Sequence, residues 1–243
     1  MTQGWLQSGS VHLNKRSLLF FLVSGLAMLL ALPAWGGDKE KDEETFKNAA
    51  TVLQDAVESG KVPTDLLDKA KCVIILPNVK KFGIGVGGSG GRGPMSCRSG
   101  KHFEGKWSAP AMYTIGGASV GLQVGGTSTD FVLLVMNDKG VEAVLSDKTK
   151  VGSDATAAAG PSGASSASTS VGGVDMLTYA KAKGLFAGVS LDGATLHPDG
   201  DANKRLYGKM ISAKEILRDN AVTPPGGGGR ELIGLLDSKL PKR

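Results

Sequence analysis

Between Phe82 and Met136 glycine alternates with apolar residues, as in FGIGVGG and ASVGLQVGG, and the stretch ends on the apolar run DFVLLVMN. A period of two belongs to extended chain, in which successive side chains point to opposite faces of a sheet. A helix would scatter the same residues around its circumference, so this stretch excludes an all-helical fold. Gly-Gly pairs divide it into successive antiparallel strands, and Asn137-Asp138-Lys139-Gly140 reads as the closing turn. Glycine makes up 36 of 243 residues with no collagen-like period, so tight turns and close backbone approaches are expected throughout.

Helical spacing flanks this centre. Phe46, Ala49, Ala50, Leu53, Ala56 and Val57 form a three-and-four stripe with Lys47, Gln54, Asp55 and Glu58 outside it, an amphipathic helix ending near Gly60. Its small alanines and acidic polar face suit it to covering a sheet better than to lying in a lipid interface. Pro63 opens a short helix through Leu66, Leu67 and Ala70, and Cys72 to Leu76 reads as a strand ended by Pro77. Val141 to Leu145 reads as a helical turn and Lys150 to Ala159 as extended. The serine- and glycine-rich residues 160–173 read as an exposed connection. Met176 to Lys181 and Leu185 to Leu191 flank Ala182-Lys183-Gly184 as a hairpin. Asp201 to Tyr207 and Ser212 to Arg218 read as short helices, Ser212 and Glu215 forming a capping box. Pro224-Pro225 and the four glycines after them read as a turn before a short last helix at Leu232 to Leu236. The fold class expected is α+β: a single domain with a twisted, mainly antiparallel or barrel-like sheet and packed N-terminal and C-terminal helices.

Residues 1–36 read as a cleaved signal peptide. Lys15 and Arg16 precede the apolar run from Ser17 to Leu32, Pro33 breaks it, and Ala34-Trp35-Gly36 is a small-x-small cleavage site. The run is slightly shorter than the roughly 20 residues of a spanning helix, the alternative role for it. Residues 37–223 then form the domain and 224–243 a Pro/Gly-rich tail. The expected location is periplasmic or secreted, peripheral to the outer membrane. Lys15 and Arg16 are the only charged residues in the leader, so its removal lowers the net charge from +5 to +3. So mild a positive charge, with export, argues against a nucleic-acid partner. In an oxidising compartment Cys72 and Cys97 form either a disulfide or one buried thiol and one loop thiol. With His102 they make a poor zinc set, and no other residues have metal spacing.

Three motifs invite chemistry. Gly83-x-Gly85-x-x-Gly88 matches a dinucleotide fingerprint, but the GGRGPMSCRSG that follows cannot supply the helix whose N-terminus takes the pyrophosphate. Ser89 and Ser119 each sit in G-x-S-x-G, and Asp130 or Asp175 followed by His197 completes the order of a hydrolase triad. Both serines lie in β-like sequence, whereas a nucleophile elbow turns from strand into helix. Asp199-x-Asp201-x-Asn203 begins like a calcium loop, but Lys204 and Met210 stand where glycine and glutamate are required. Asp199 or Asp201 is better used as a helix N-cap.

Four segments together resemble the SYLF domain: AKCVIILPNVKKFGIGVGGSGGRG, WSAPAMYTIGGASVGLQVGGTSTDFVLLVMN, TYAKAKGLFAGVSLDGA and NKRLYGKMISAKEIL. The resemblance runs from about Phe46 to Leu217. It implies phospholipid or phosphoinositide binding, as in eukaryotic members, with no cofactor and no catalytic residues. Similar bacterial members carry export signals.

The residues and the resemblance meet in the cationic stretch after Lys71. Lys80, Lys81, Arg92, Arg98, Lys101 and Lys106 are expected to form a basic rim that recognises anionic head groups, at about 1 kcal/mol each near such a surface. Backbone N–H groups of Gly87 to Gly91 add an anion nest. Trp107 and Phe103 either insert at the interface or belong to the core. The expectation is an exported, non-enzymatic lipid-binding protein without cofactor or metal. A serine esterase and an oligomerising structural envelope protein are the alternatives.

Overall fold

The computed structural model describes residues 35–84, 86–120, 126–162 and 173–240. The leader expected at 1–36 falls outside them apart from Trp35 and Gly36, and so does most of the connection expected at 160–173. Residues from Asp38 onward form one compact unit.

Helix α1 (Trp35–Glu58) begins well before the stripe that predicts it, and buries Phe46, Ala49, Leu53 and Ala56. Each large apolar side chain among these contributes roughly 1.5–3 kcal/mol on burial. α2 (Thr64–Lys69) follows Pro63 as expected. Then come β1 (Cys72–Ile84), β2 (Val86–Cys97), β3 (Ala111–Val120), β4 (Thr127–Val135), α3 (Asp138–Val144), β5 (Thr149–Lys150), β6 (Ala157–Ala159), β7 (Met176–Ala182), β8 (Leu185–Gly188) and β9 (Thr195–Pro198). α4 (Gly200–Tyr207), α5 (Ala213–Leu217) and α6 (Gly226–Lys239) complete the described chain.

The strands form one curled sheet in the order β5-β9-β3-β2-β1-β4-β7-β6, with β8 paired to β7. Among the described strands every pairing is antiparallel except β6 with β7. Its inner face carries Ile74, Leu76, Tyr113, Ile115 and Leu133, closed by Val141 and Val144 of α3 and Ile216 of α5. Its outer face carries Val73, Ile75, Val132, Leu134 and Tyr179, covered by α1, α2 and α6. The expected α+β class, with helices from both ends packed on the sheet, is what the structure shows.

Four local readings change. Pro77 does not end a strand: β1 runs through it, and the pairings of β1 shift register between Leu76 and Val79. Proline lacks the N–H a ladder needs, and a bulge is where a strand tolerates it. Asn78 there takes a positive φ of 54°, and its N–H donates to Asp130 Oδ1 at 2.9 Å. Asn137 caps α3 by accepting from Gly140 N–H, so helix replaces the expected turn. The extended stretch expected at Lys150 to Ala159 divides into β5 and β6. The four glycines after Pro225 form the first turn of α6. A Cβ at Gly228 would meet the Glu43 carbonyl of α1, so glycine lets the two helices approach. The hairpin expected at residues 182–184 is present, with positive φ at Lys183 and Gly184.

Candidate functional site

Cys72 and Cys97 lie directly opposite one another on β1 and β2 and are disulfide-bonded. Beyond them the chain turns through residues 98–107, where the predicted site begins to divide. Arg98 is 4% exposed; its guanidinium lies 4.4 Å over the Trp107 ring and donates to the Leu240 carbonyl at 3.0 Å. Trp107 is equally buried and donates Nε1–H to the same carbonyl at 3.0 Å. Both residues clasp the C-terminal end of α6, and Phe103 is buried as well.

Arg92 is also held from within. It pairs with Asp42 of α1, fully buried, whose carboxylate accepts from Arg205 Nε of α4 at 3.0 Å. Lys101 and Lys106 are exposed at the disulfide end of the sheet. Lys80 and Lys81 lie at the opposite end of β1, paired in register with Gly90 and Ser89. At about 3.3 Å per residue, the two ends are separated by some 25 Å, so the six cations do not share a rim.

A different set comes together on the outer face. Lys80 pairs with Gly90, Gly90 with Gly116, Gly116 with Thr195 and Thr195 with Lys150, one row crossing five strands. Four strand spacings of about 4.8 Å put the two lysines about 19 Å apart along the sheet. The next row toward the core runs Arg92, Thr114, His197, with Thr114 Oγ1 and His197 Nε2 2.6 Å apart. Between the lysines the floor is open. Among the described residues, a Cβ at Gly90 would meet only the Ile115 carbonyl oxygen at 3.9 Å, and one at Gly116 only that of Ser89 at 3.9 Å. A shallow cavity of about 580 Å³, lined by Gly116, Gly117, Asp147, Lys148, Gly193, Thr195 and His197, opens at the end of β9. Lys148 and His197 of its lining are exposed, as are Lys80 and Lys150 at the two ends of the row. Lys150, Lys148 and Thr195 carried no motif; the register that gathers them pairs Gly116 with Thr195, about eighty residues apart, which no local pattern reveals.

The triad is not assembled among the described side chains. Ser89 Oγ donates to the Gly117 carbonyl at 3.5 Å, His197 engages Thr114, and Asp130 is taken by Asn78. Asp175, 2% exposed, lies at the start of β7. It accepts from Thr156 N–H at 2.9 Å, Thr156 Oγ1 at 2.8 Å, Asn137 Nδ2 at 3.1 Å and Lys139 Nζ at 3.1 Å. Burial would raise its pKa, but these hydrogen bonds outweigh burial and hold the carboxyl below its ordinary value. Ser89 lies within β2 and Ser119 within β3, neither at the start of a described helix. Asp199 caps α4 by accepting from Ala202 N–H at 3.0 Å, the alternative to calcium ligation. Among the described residues no three His, Cys, Asp or Glu side chains group as a metal site, and no helix is long and apolar enough to cross a membrane.

Comparison with known proteins gives this geometry a family. The Ysc84 family model, described as "Las17-binding protein actin regulator", matches residues 116–239. Protein YSC84 of Saccharomyces cerevisiae is 34% identical over 205 residues, which is 79% of this chain and 42% of that protein. The human SH3 domain-containing YSC84-like protein 1 is 33% identical over 202 residues, 79% of this chain and 57% of its own length. LAS seventeen-binding protein 3 of Saccharomyces cerevisiae is 35% identical over 191 residues, 74% of this chain and 41% of its own length. The chain thus spans about two fifths to three fifths of the relatives it matches. A match across half the chain, on the sheet and helices just described, shows that the chain belongs to the Ysc84, or SYLF-domain, family.

Proposed function

We propose that this chain is a non-catalytic module that associates peripherally with anionic phospholipid, and that the outer face bearing Lys80 and Lys150 meets the head groups. The row of two exposed lysines across an open glycine floor carries the reading. Each lysine near an anionic surface contributes about 1 kcal/mol, so the pair accounts for roughly 30-fold in partition. With it goes the leader reading of residues 1–36, which would place the module in a periplasmic or extracellular compartment. N-terminal sequencing of the protein recovered from its native host tests that part.

Flotation of the full chain with vesicles of phosphatidylcholine, with and without phosphatidylglycerol, tests the lipid. Enrichment on the anionic vesicles, falling as salt shortens the Debye length, is the expected result. Equal flotation on both refutes it. The names of the relatives favour a second reading, in which the module serves an actin-regulating partner. Co-sedimentation with filamentous actin in the absence of lipid is what that reading predicts.

A further inference from the structure

The cavity at the end of β9 has a neighbour. A second one, of about 660 Å³, lies between the residues after α3, the start of α4 and the segment that joins α4 to α5. Asp147 lines both, and the two linings meet on β9, where the first includes His197 and the second Pro198. Together they make one groove with unlike ends. β5 and β9 run antiparallel with Thr149 opposite Leu196, which brings Lys148 beside His197 at the first end. Thr195 completes that end, about 10 Å from Pro198 along the strand. The apolar lining of the second end is Leu145, Pro198, Met210, Ile211 and Ala213. Met210 is 77% exposed, and among the described residues only it and Leu185 are large apolar side chains left exposed.

Most of the acids nearby are engaged. Asp154 accepts from Lys150 N–H at 2.7 Å, Asp192 from Ser190 Oγ at 2.7 Å, Asp199 caps α4, and Glu215 accepts from Ser212 N–H at 2.8 Å. Asp147 is exposed and has no such partner among the described residues. At the cationic end Thr114 engages His197 through Nε2, which leaves Nδ1 as the ring nitrogen still able to bond a ligand. Cation, carboxylate and apolar wall therefore follow one another along the groove. Phosphate, hydroxyl and hydrocarbon follow one another in the same order in a glycerophospholipid that has lost one acyl chain.

We propose that the groove binds such a single-chain glycerophospholipid, with its phosphate against Lys148 and His197, its glycerol hydroxyl donating to Asp147, and its acyl chain over Leu145, Pro198 and Met210. The inference rests on the lipid reading of the preceding subsection and adds to it a site of fixed stoichiometry and a preference among lipids. A diacyl lipid carries an ester in place of that hydroxyl, and an ester has no proton to give Asp147. The apolar end, at about 660 Å³, falls within the range of about 300–1,000 Å³ that holds one small ligand, which gives room for one chain rather than two.

The test uses the full chain, so the apolar run of residues 17–32 is common to every arm. The probe is 1-myristoyl lysophosphatidic acid below its micellar concentration. Native mass spectrometry is expected to show one lipid per chain that is lost in Lys148→Ala, and the added emission of a Met210→Trp variant is expected to shift blue on titration. Lys148→Ala and Met210→Asp should each lower affinity about 10-fold with unchanged thermal midpoints, whereas Lys214→Ala, at the apolar end, should stay within about threefold. Asp147→Ala should weaken binding of the lysolipid and leave binding of its 2-deoxy analogue unchanged. Tighter lysolipid binding in Asp147→Ala, as repulsion of the phosphate would give, overturns the proposal. Glycerol 3-phosphate bound as tightly as the lysolipid also overturns it, since the site would then hold phosphate without a chain. If the wild type prefers anionic vesicles but the lysolipid does not bind, or binds equally to the wild type and these variants, the groove is wrong while surface association stands. If neither anionic vesicles nor the lysolipid are bound, the lipid reading fails and takes the groove with it.

Discussion

Replacing Asp42 by alanine should loosen α1 from the sheet. Asp42 is fully buried and its carboxylate serves two arginines from different elements, Arg92 on β2 and Arg205 on α4. Arg92 depends on this contact, since its Nε has no acceptor among the described residues. Removing one member of a buried ion pair costs about 3–5 kcal/mol, because the remaining charge is stranded away from water. The arginine side chains keep 36% and 31% of their exposure, so hydration relieves part of that cost. The loss is therefore placed at the low end, about 3 kcal/mol. For a domain of this size 1 kcal/mol moves the melting midpoint by about 2–4 °C, giving a fall of about 6–12 °C. Urea unfolding followed by circular dichroism measures the free energy directly. The triple variant Asp42→Leu, Arg92→Met, Arg205→Met removes all three charges and should recover most of the stability. A loss below about 1 kcal/mol in Asp42→Ala, or a triple variant weaker than the single one, would refute the assignment of Asp42 as the buried anchor.

Other outcomes follow from the same geometry. Reducing Cys72–Cys97, which closes a separation of 25 residues, should cost about 3.5 kcal/mol by the loop-entropy relation, read as a lower guanidinium midpoint in dithiothreitol; an unmoved midpoint contradicts it. Asp175 has a lowered folded pKa, so its stabilisation is complete above the unfolded value of about 3.9 and is lost as pH falls through the folded value. Urea midpoints of wild type and Asp175→Asn should therefore differ at neutral pH and converge in acid, and a pH-independent gap is the contrary result. A Cβ at Gly93 would strike the Ile75 carbonyl, whereas one at Gly90 would meet nothing closer than 3.9 Å among the described residues. Gly93→Ala should be strongly destabilised and Gly90→Ala should melt near wild type; equal midpoints would contradict the close approach.

The sequence carries the fold class where periodicity is strong. The stripe of Phe46 to Val57 becomes the buried face of α1, and the alternation after Phe82 becomes β1 to β4. Short-range chemistry is equally visible: Ser212 and Glu215 form their capping box. It fails where tertiary contact overrides local preference. Helix propensity disfavours four glycines in succession, yet α6 begins on them because Gly228 packs against Glu43 and Phe46. Proline disfavours a central strand, yet β1 absorbs Pro77 in a bulge. The candidate site divides for the same reason. Lys80 and Arg98 are close in sequence, but the hairpin carries them to opposite ends, while Arg98 and Trp107 are spent on the Leu240 carbonyl. Lys80 and Lys150 meet on one face only through a register spanning five strands.

The most direct test compares two lysine pairs of equal charge at opposite ends of the sheet. Partition of the full chain onto phosphatidylglycerol vesicles is measured for wild type, Lys80→Ala/Lys150→Ala and Lys101→Ala/Lys106→Ala at matched salt. The account predicts that the first pair weakens binding by roughly 30-fold and that the second leaves it within about threefold of wild type. Equal losses in both, or a larger loss from Lys101 and Lys106, would contradict the placement of the lipid surface at the glycine-floored face.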